Sequence, residues 1–398
     1  MSRAWLLPEH LADALPAEAR RMETLRRSLL DLAARHGFEH VVPPLLEHLD
    51  SLLSGTAGEL DLHTFKLVDQ LSGRTLGLRA DTTPQAARID AHLLNRPGVT
   101  RLCYCGPVLH ARPEGATASR ELLQFGAEIF GHPGLQADLE VQELALDGVA
   151  QAVAGPLLID LADARILRGV LGGLQLDASL LGELVAALSA KDAPRLESLT
   201  SGLPDAARLA LVELARLYGG PEVIERARSV LPHAPLIVQA LDDLTWLAAH
   251  LHAAFPTLRV GFDLADMGGY AYYSGTRFAI YAAGCRAALA RGGRYDEVGS
   301  VFGRNRPAAG FSLDVRALAA HMREVGAAAA IRATWSEEPQ LREAVRRLRE
   351  AGESVIYLLP GQDTESGAPA CDRELICTGG RWVVRALDAC TAVDHTPS

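Results

Sequence analysis

The chain has 398 residues, with 39 basic and 49 acidic side chains and a formal net charge of −10. Hydrophobic residues make up 48% and charged residues 22%, which indicates a globular protein of two or three domains rather than a disordered chain. The acidic balance argues against a protein whose main work is to bind a phosphate backbone. The chain has only two lysines, Lys66 and Lys191, and neither lies in a phosphate-binding loop.

The sequence gives no sign of a membrane or metal protein. No apolar run reaches the length of a transmembrane helix, and the first residues lack the apolar stretch of a signal peptide. The six cysteines show neither paired nor metal-binding spacing. We therefore expect a cytoplasmic protein with free thiols, no membrane contact, no metal and no cofactor.

The first 163 residues alternate between helical and strand patterns. Apolar periodicity predicts a helix at 17–36. The extended segment that follows ends in Pro43-Pro44, which predicts an edge strand because proline lacks the N–H that a sheet ladder needs. The next predicted elements are strands at 63–69 and 75–79, a helix at 83–95, strands at 101–112 and 121–130, a helix at 135–152 and a strand at 156–161. This order predicts an α+β domain with a largely antiparallel sheet.

The rest of the chain changes pattern twice. The stretch at about 164–255 is helical and is interpreted as an insertion. Later elements are predicted as strands at 258–264, 271–273 and 277–282, a tight loop at 291–296, and a segment at 310–313 that leads into a helix ending near Val325. From about 327 the order strand, helix, strand, strand predicts a small α/β domain. The predicted domains are a core in two parts, 1–163 and 257–325, a helical insertion at 164–256 and a C-terminal domain at 326–398.

Five segments, in chain order, resemble the catalytic core of histidyl-tRNA synthetases, which are class II aminoacyl-tRNA synthetases. They are 38–44, like motif 1; 78–83, like the LRPEGT strand end; 124–131, like the end of motif 2; 269–273, like RGLDYY; and 292–296, which reads GGRYD. The resemblance implies the class II fold, an antiparallel sheet flanked by helices. It also implies that motif 1 forms a dimer interface.

Three arginines with which these synthetases hold ATP are missing in register. Arginine suits this role because its planar guanidinium stays charged and fits phosphate oxygens. The matching positions hold His110, Gly268 and Ala317. Arg316 is adjacent to Ala317, but a helix turns by about 100° per residue, so its side chain should point elsewhere. We therefore expect no adenylation of histidine and no catalytic residue.

The amino-acid pocket of the synthetases is better preserved. The resemblance implies a site for histidine or a similar small molecule, formed by Asp81, Thr83, Gln124, Glu128, Tyr272 and Tyr273. Asp81 stands where the family has a glutamate, so its contact with a ligand ammonium could need a bridging water. Two interpretations stay open: a pocket that still binds its ligand, and a polar network inherited without one.

The C-terminal part is short and acidic. From Arg323 onward there are nine arginines, no lysine and twelve acidic residues, whereas RNA-reading modules are usually basic. We therefore expect no tRNA binding. With the altered ATP site, these features resemble a family of synthetase paralogues, the regulatory subunits of ATP phosphoribosyltransferase.

That second resemblance implies a non-catalytic subunit of a glycosyltransferase complex. The complex carries out the first step of histidine biosynthesis under feedback control by histidine. The implied partners are the short-form catalytic subunit, in a hetero-octamer, a second copy of the chain in a dimer, and histidine as an effector. The alternatives are a divergent, truncated histidyl-tRNA synthetase and another ligase on the same scaffold. Both would need a phosphate site, and the sequence indicates none.

Overall fold

The computed structural model describes residues 6–53, 59–113, 115, 118–285, 287–298, 303–323, 329–362 and 371–387. The chain divides into two compact units, Met1–Arg323 and Glu324–Ser398. Whether the helical stretch between the two parts of the core is a separate domain stays a prediction.

The first unit contains helices and strands throughout its length. Its helices are α1 Pro16–Arg35, α2 Leu49–Leu52, α3 Glu59–His63, α4 Thr83–Arg88, the π-helix Ile89–Leu94, α5 Leu135–Ala150, α6 Ala164–Val170, α7 Ala178–Ser189, α8 Ala193–Leu199, α9 Asp205–Leu214, α10 Glu222–Val230, α11 Pro235–Ala254 and α12 Val315–Ala319. Its strands are β1 Glu39–His40, β2 Leu46–His48, β3 Phe65–Val68, β4 Thr75–Leu78, β5 Thr100–Leu109, β6 Glu121–Phe130, β7 Leu157–Asp163, β8 Tyr218–Gly219, β9 Arg259–Asp263, β10 Thr276–Ala282, β11 Ala290–Arg294 and β12 Ala308–Asp314.

Nine of the strands in the described part of this unit form one sheet. Their order is β1-β5-β6-β12-β11-β10-β7-β9-β8. Neighbouring strands run antiparallel except for the pairs β1–β5 and β7–β9. A small sheet, β2-β4-β3, contains the predicted hairpin. Strand β1 lies at the edge of the large sheet, as the double proline that follows it predicts.

Helices α1 and α5 bury apolar faces in the core that includes the large sheet. Leu25, Leu29 and Leu32 recur at helical spacing on α1 and are all buried. They belong to the same apolar cluster as Phe125 and Ile129 of the central strand β6. Burying each such side chain contributes roughly 1.5–3 kcal/mol, which fixes the helix against the sheet.

Two predictions near the end of the core are wrong. Residues 271–273 form a turn rather than a strand, because Gly269 has φ +67° and its carbonyl accepts hydrogen bonds from the N–H groups of Tyr272 and Tyr273. The expected loop at 291–296 is largely strand β11. There Gly292 pairs with Phe311 across the sheet, and a Cβ at Gly292 would collide with the backbone of β12.

The helix expected to end near Val325 is also shorter than predicted. Residues 310–313 belong to strand β12, and the helix after it, α12, ends at Ala319. Val325 lies outside the described residues.

The second unit contains β13 Ala330–Thr334, α13 Pro339–Glu350, β14 Val355–Leu358, β15 Cys371–Thr378 and β16 Arg381–Ala386. Its sheet has the order β14-β13-β15-β16. Strand β15 was not predicted from the sequence; its adjacent residues Arg373 and Glu374 form ion pairs with charged neighbours. This unit is α/β, as predicted. Across the described residues of the chain, no helix has the length and apolar character needed to cross a membrane.

Candidate amino-acid pocket

A cavity of about 610 Å³ opens on the large sheet of the first unit. Its lining comes from the end of β6, the loop between β4 and α4, the turn before β10, and strands β11 and β12. Five of the six residues predicted for the pocket line it: Asp81, Thr83, Glu128, Tyr272 and Tyr273. Its volume falls within the range typical of small-molecule sites.

Glu128, on β6, lies at the buried side of the cavity with 1% of its surface exposed. Its carboxyl group accepts hydrogen bonds from the hydroxyls of Tyr104, at 2.9 Å, and Tyr295. Burial raises the pKa of Glu128 to about 8 although both tyrosine hydroxyls act to lower it. Glu128 therefore holds a proton at neutral pH unless a ligand brings a positive charge.

Asp81 provides a second carboxyl group to the pocket. Gln124 donates from Nε2 to Oδ1 of Asp81 at 2.7 Å, and the backbone N–H of Thr83 donates to the same oxygen at 3.1 Å. The Thr83 hydroxyl lies 2.9 Å from the Tyr104 hydroxyl and so links Asp81 to the Glu128 network. Asp81 stays partly exposed to the cavity. There its carboxyl group can accept hydrogen bonds from the ammonium group of a ligand.

Gln124 is the sixth predicted residue, and it does not line this cavity. It lines a neighbouring cavity of about 420 Å³ that shares Asp81 with the first. Its amide oxygen accepts from the backbone N–H of Thr82 at 2.9 Å while its nitrogen holds Asp81. Gln124 therefore orients Asp81.

The turn after β9 places two tyrosines in the cavity. The Tyr272 ring stacks on Tyr295 with centroids 5.0 Å apart and meets Tyr273 edge-on at 5.3 Å. The hydroxyl of Tyr272 is buried and has no hydrogen-bond partner within the described residues. Burying a hydroxyl without a hydrogen-bond partner costs free energy, unless a ligand or a water molecule supplies that partner.

Two arginines that were not predicted from the sequence also reach the cavity. Arg277 on β10 and Arg291 on β11 line it together with Asp266, to which both are close. Tyr104 and Tyr295 were missed as well, although Tyr295 lies within the GGRYD match. These residues come together because strands that are distant in sequence pair with one another.

The neighbouring cavity contains His110, which replaces one ATP-binding arginine of the synthetases. Its Nε2 lies 3.0 Å from the carbonyl oxygen of Ala80. Arg316 points away, as the helical turn predicts: its Nε donates to Glu18 at 2.8 Å and its Nη1 to the carbonyl of Ala12 at 2.9 Å. Ala317 is exposed. None of these positions supplies a guanidinium to either cavity.

The described residues contain no cluster of His, Cys, Asp and Glu side chains that could hold a metal ion. The polar groups of the cavity are carboxyls, hydroxyls and guanidinium groups. Such a set can bind a small zwitterion by charge and hydrogen bonding.

Comparison with known proteins agrees with both resemblances. Residues 10–318 match the family model of histidyl-tRNA synthetase, and residues 328–385 match that of the ATP phosphoribosyltransferase subunit HisZ C-terminal domain. An ATP phosphoribosyltransferase regulatory subunit from Albidiferax ferrireducens is 57% identical, over 96% of this chain and all of its own length. The protein of the same name from Variovorax paradoxus is 58% identical over the same shares.

The chain belongs to the ATP phosphoribosyltransferase regulatory subunit family. A crystal structure described as an ATP phosphoribosyltransferase regulatory subunit/histidyl-tRNA synthetase from Bacillus halodurans has the same fold, with a TM-score of 0.80 and 25% identity. The match covers 92% of this chain and 95% of that one. The predicted class II synthetase-like fold is confirmed, and membership of the regulatory subunit family does not favour a divergent histidyl-tRNA synthetase.

Proposed function

We propose that this chain is the regulatory subunit of ATP phosphoribosyltransferase, acts in the first step of histidine biosynthesis and performs no chemistry itself. The observation that carries this proposal is the identity of 57–58% with regulatory subunits over their whole length. The site supports it: His110, Gly268 and Ala317 stand where an adenylating enzyme needs guanidinium groups.

The proposed partner is the short-form catalytic subunit, which as a glycosyltransferase transfers a phosphoribosyl group to ATP. We propose that the two chains form a hetero-octamer in the cytoplasm and that two copies of this chain pair through motif 1. In support, β1 is a very short edge strand, and Val42 next to it is 77% exposed. The unpaired side of an edge strand is a surface that a second chain commonly covers.

The cavity at Asp81 is proposed to bind histidine as an effector. The carboxyl groups of Asp81 and Glu128 and the hydroxyl of Tyr272, which has no partner in the described part of the chain, offer partners to an ammonium and an imidazole. Burying the Tyr272 hydroxyl without a hydrogen-bond partner costs free energy, so a small polar ligand gives a physical reason for the arrangement.

Co-expression with the catalytic subunit of the same organism tests this function. The two chains should elute together on size-exclusion chromatography at a mass well above that of either alone. Glu128→Ala should then weaken histidine binding to the complex and relieve its inhibition. Inhibition that persists in this variant would place the effector on the catalytic subunit, and separate elution of the two chains would contradict the partnership.

A further inference from the structure

The cavity is lined by charges of both signs, and Tyr273 lies near both. Burial, the largest cause, raises the pKa of Tyr273 to about 12. Among the smaller causes, Arg277 and Arg291 lower this pKa, whereas Asp81 and Glu128 raise it. Asp81, Glu128, Arg277 and Arg291 line the same cavity, so a ligand in it can reach an acidic and a basic group at once.

Arg277 is held in one position by its surroundings. Its side chain is 7% exposed, its Nη1 donates to the carbonyl oxygen of Asp266, and its Nη2 lies 3.3 Å from Oδ2 of the same residue. Its guanidinium lies over the Tyr273 ring, 4.9 Å from the ring centroid. The buried Nε has no partner within the described residues. The Arg277 side chain is thus held in place, while its Nε–H remains a hydrogen-bond donor without a partner in the described part of the chain.

Gly268 leaves the space beside Arg277 open. A Cβ at position 268 would lie 3.4 Å from Nη2 of Arg277 and would border the same cavity. Arg291, whose side chain is 54% exposed, has its Nη1 4.0 Å from Oδ2 of Asp266. Two guanidinium groups therefore share the Asp266 carboxylate, which leaves an excess of positive charge on this side of the cavity.

We propose that Arg277, assisted by Arg291, is the subsite for the α-carboxylate of the amino acid bound in this pocket. Asp81 binds the ammonium group of the same ligand. The inference rests on the proposed histidine pocket and names the residue that selects an amino acid over the corresponding amine or alcohol. A carboxylate loses its hydration on entering the cavity, and a fixed guanidinium replaces that hydration with charge-assisted hydrogen bonds.

Calorimetry with histidine and histidinol tests the assignment, because histidinol carries a hydroxymethyl group in place of the carboxylate. The full-length chain should bind histidine at least about tenfold more tightly than histidinol, since hydrogen bonds between charged groups are the strong ones. Arg277→Gln should remove this preference by weakening histidine alone. The control Arg259→Gln, at an exposed arginine on β9 outside this cavity, should leave it unchanged.

The double variant Gly268→Arg/Arg277→Gln gives a stronger test, because the first substitution returns a guanidinium to the adjoining space. It should regain at least part of the preference for histidine. Arg291→Gln, at an exposed and more tolerant position, should reduce the preference in the same direction but less. Circular dichroism should show that each variant is folded.

Two results would overturn the subsite. The first is a preference for histidine that is equal in the wild-type chain and in folded Arg277→Gln. The second is Arg277-dependent binding of inorganic pyrophosphate without any preference for histidine over histidinol, which would make this a phosphate site. Either result could occur in a chain that still activates the catalytic subunit, so the regulatory function would stand. A chain with the preference but without activation would instead contradict that function.

Discussion

Replacing Glu128 by glutamine should make the protein less sensitive to rising pH. The pKa of Glu128 is raised from 4.5 to about 8, chiefly by burial. The folded state thus keeps a proton that the unfolded chain loses above about pH 4.5, and the free energy of unfolding falls as pH rises through this window. The Glu128 contribution is fully present below the unfolded pKa and is lost as pH approaches 8.

The size of the effect follows from the pKa values. At about 1.4 kcal/mol for each tenfold change in proton affinity, the upper limit for Glu128 is about 5 kcal/mol. Because the cavity admits water, we expect a loss of about 2–3 kcal/mol between pH 5 and pH 8. Glutamine cannot ionise, and its amide can still hydrogen-bond both tyrosine hydroxyls that contact Glu128.

Urea unfolding followed by circular dichroism at pH 5, 6, 7 and 8 measures this difference. Glu128→Gln should be more stable than the wild-type chain at pH 8, and the difference should shrink toward pH 5. Glu143→Gln is the matched control, since Glu143 lies on α5 outside the cavity and its pKa is also raised by partial burial. Parallel pH profiles for the wild-type chain and Glu128→Gln would refute the buried, protonated state of Glu128.

Three further outcomes are expected. The purified chain should show no histidine-dependent ATP–pyrophosphate exchange, and Gly268→Arg should not restore it; exchange at a synthetase-like rate in the wild-type chain would contradict the non-catalytic role. In calorimetry Asp81→Asn should weaken histidine binding by about tenfold or more, whereas Asp69→Asn in the exposed hairpin turn should not, and equal affinities would remove Asp81 from the pocket. Arg294→Met leaves Asp138 buried without its cation, so the free energy of unfolding measured in urea should fall by about 3–5 kcal/mol. A loss below about 1 kcal/mol would argue against a stabilising ion pair between these residues.

Most helices and strands of the core could be predicted from local patterns. Helix α1 and the pair β5–β6 lie close to their predicted positions because apolar spacing along each segment matches the face that it buries. Strand β11 could not be predicted, since Gly292-Gly293 is typical of a turn. In the sheet these glycines are required because the neighbouring strands leave no room for a Cβ.

The site was partly predictable for the same reason. Asp81 and Glu128 lie within motifs that local sequence preserves, and both line the cavity. Arg277 carries no such local signal: it reaches the cavity because β10 pairs with β7 and β11, and because Gly268 leaves space beside it. Contacts between segments distant in sequence thus determine the basic side of the pocket.

The central claim is that this chain acts through a catalytic partner, and the turnover of that partner tests it most directly. Phosphoribosyl-ATP formation by the short-form catalytic subunit should be measured alone, with increasing amounts of this chain, and then with added histidine. We predict that turnover rises to a plateau as the complex forms and that histidine lowers it. Turnover that stays unchanged at a saturating excess of this chain would contradict the regulatory function.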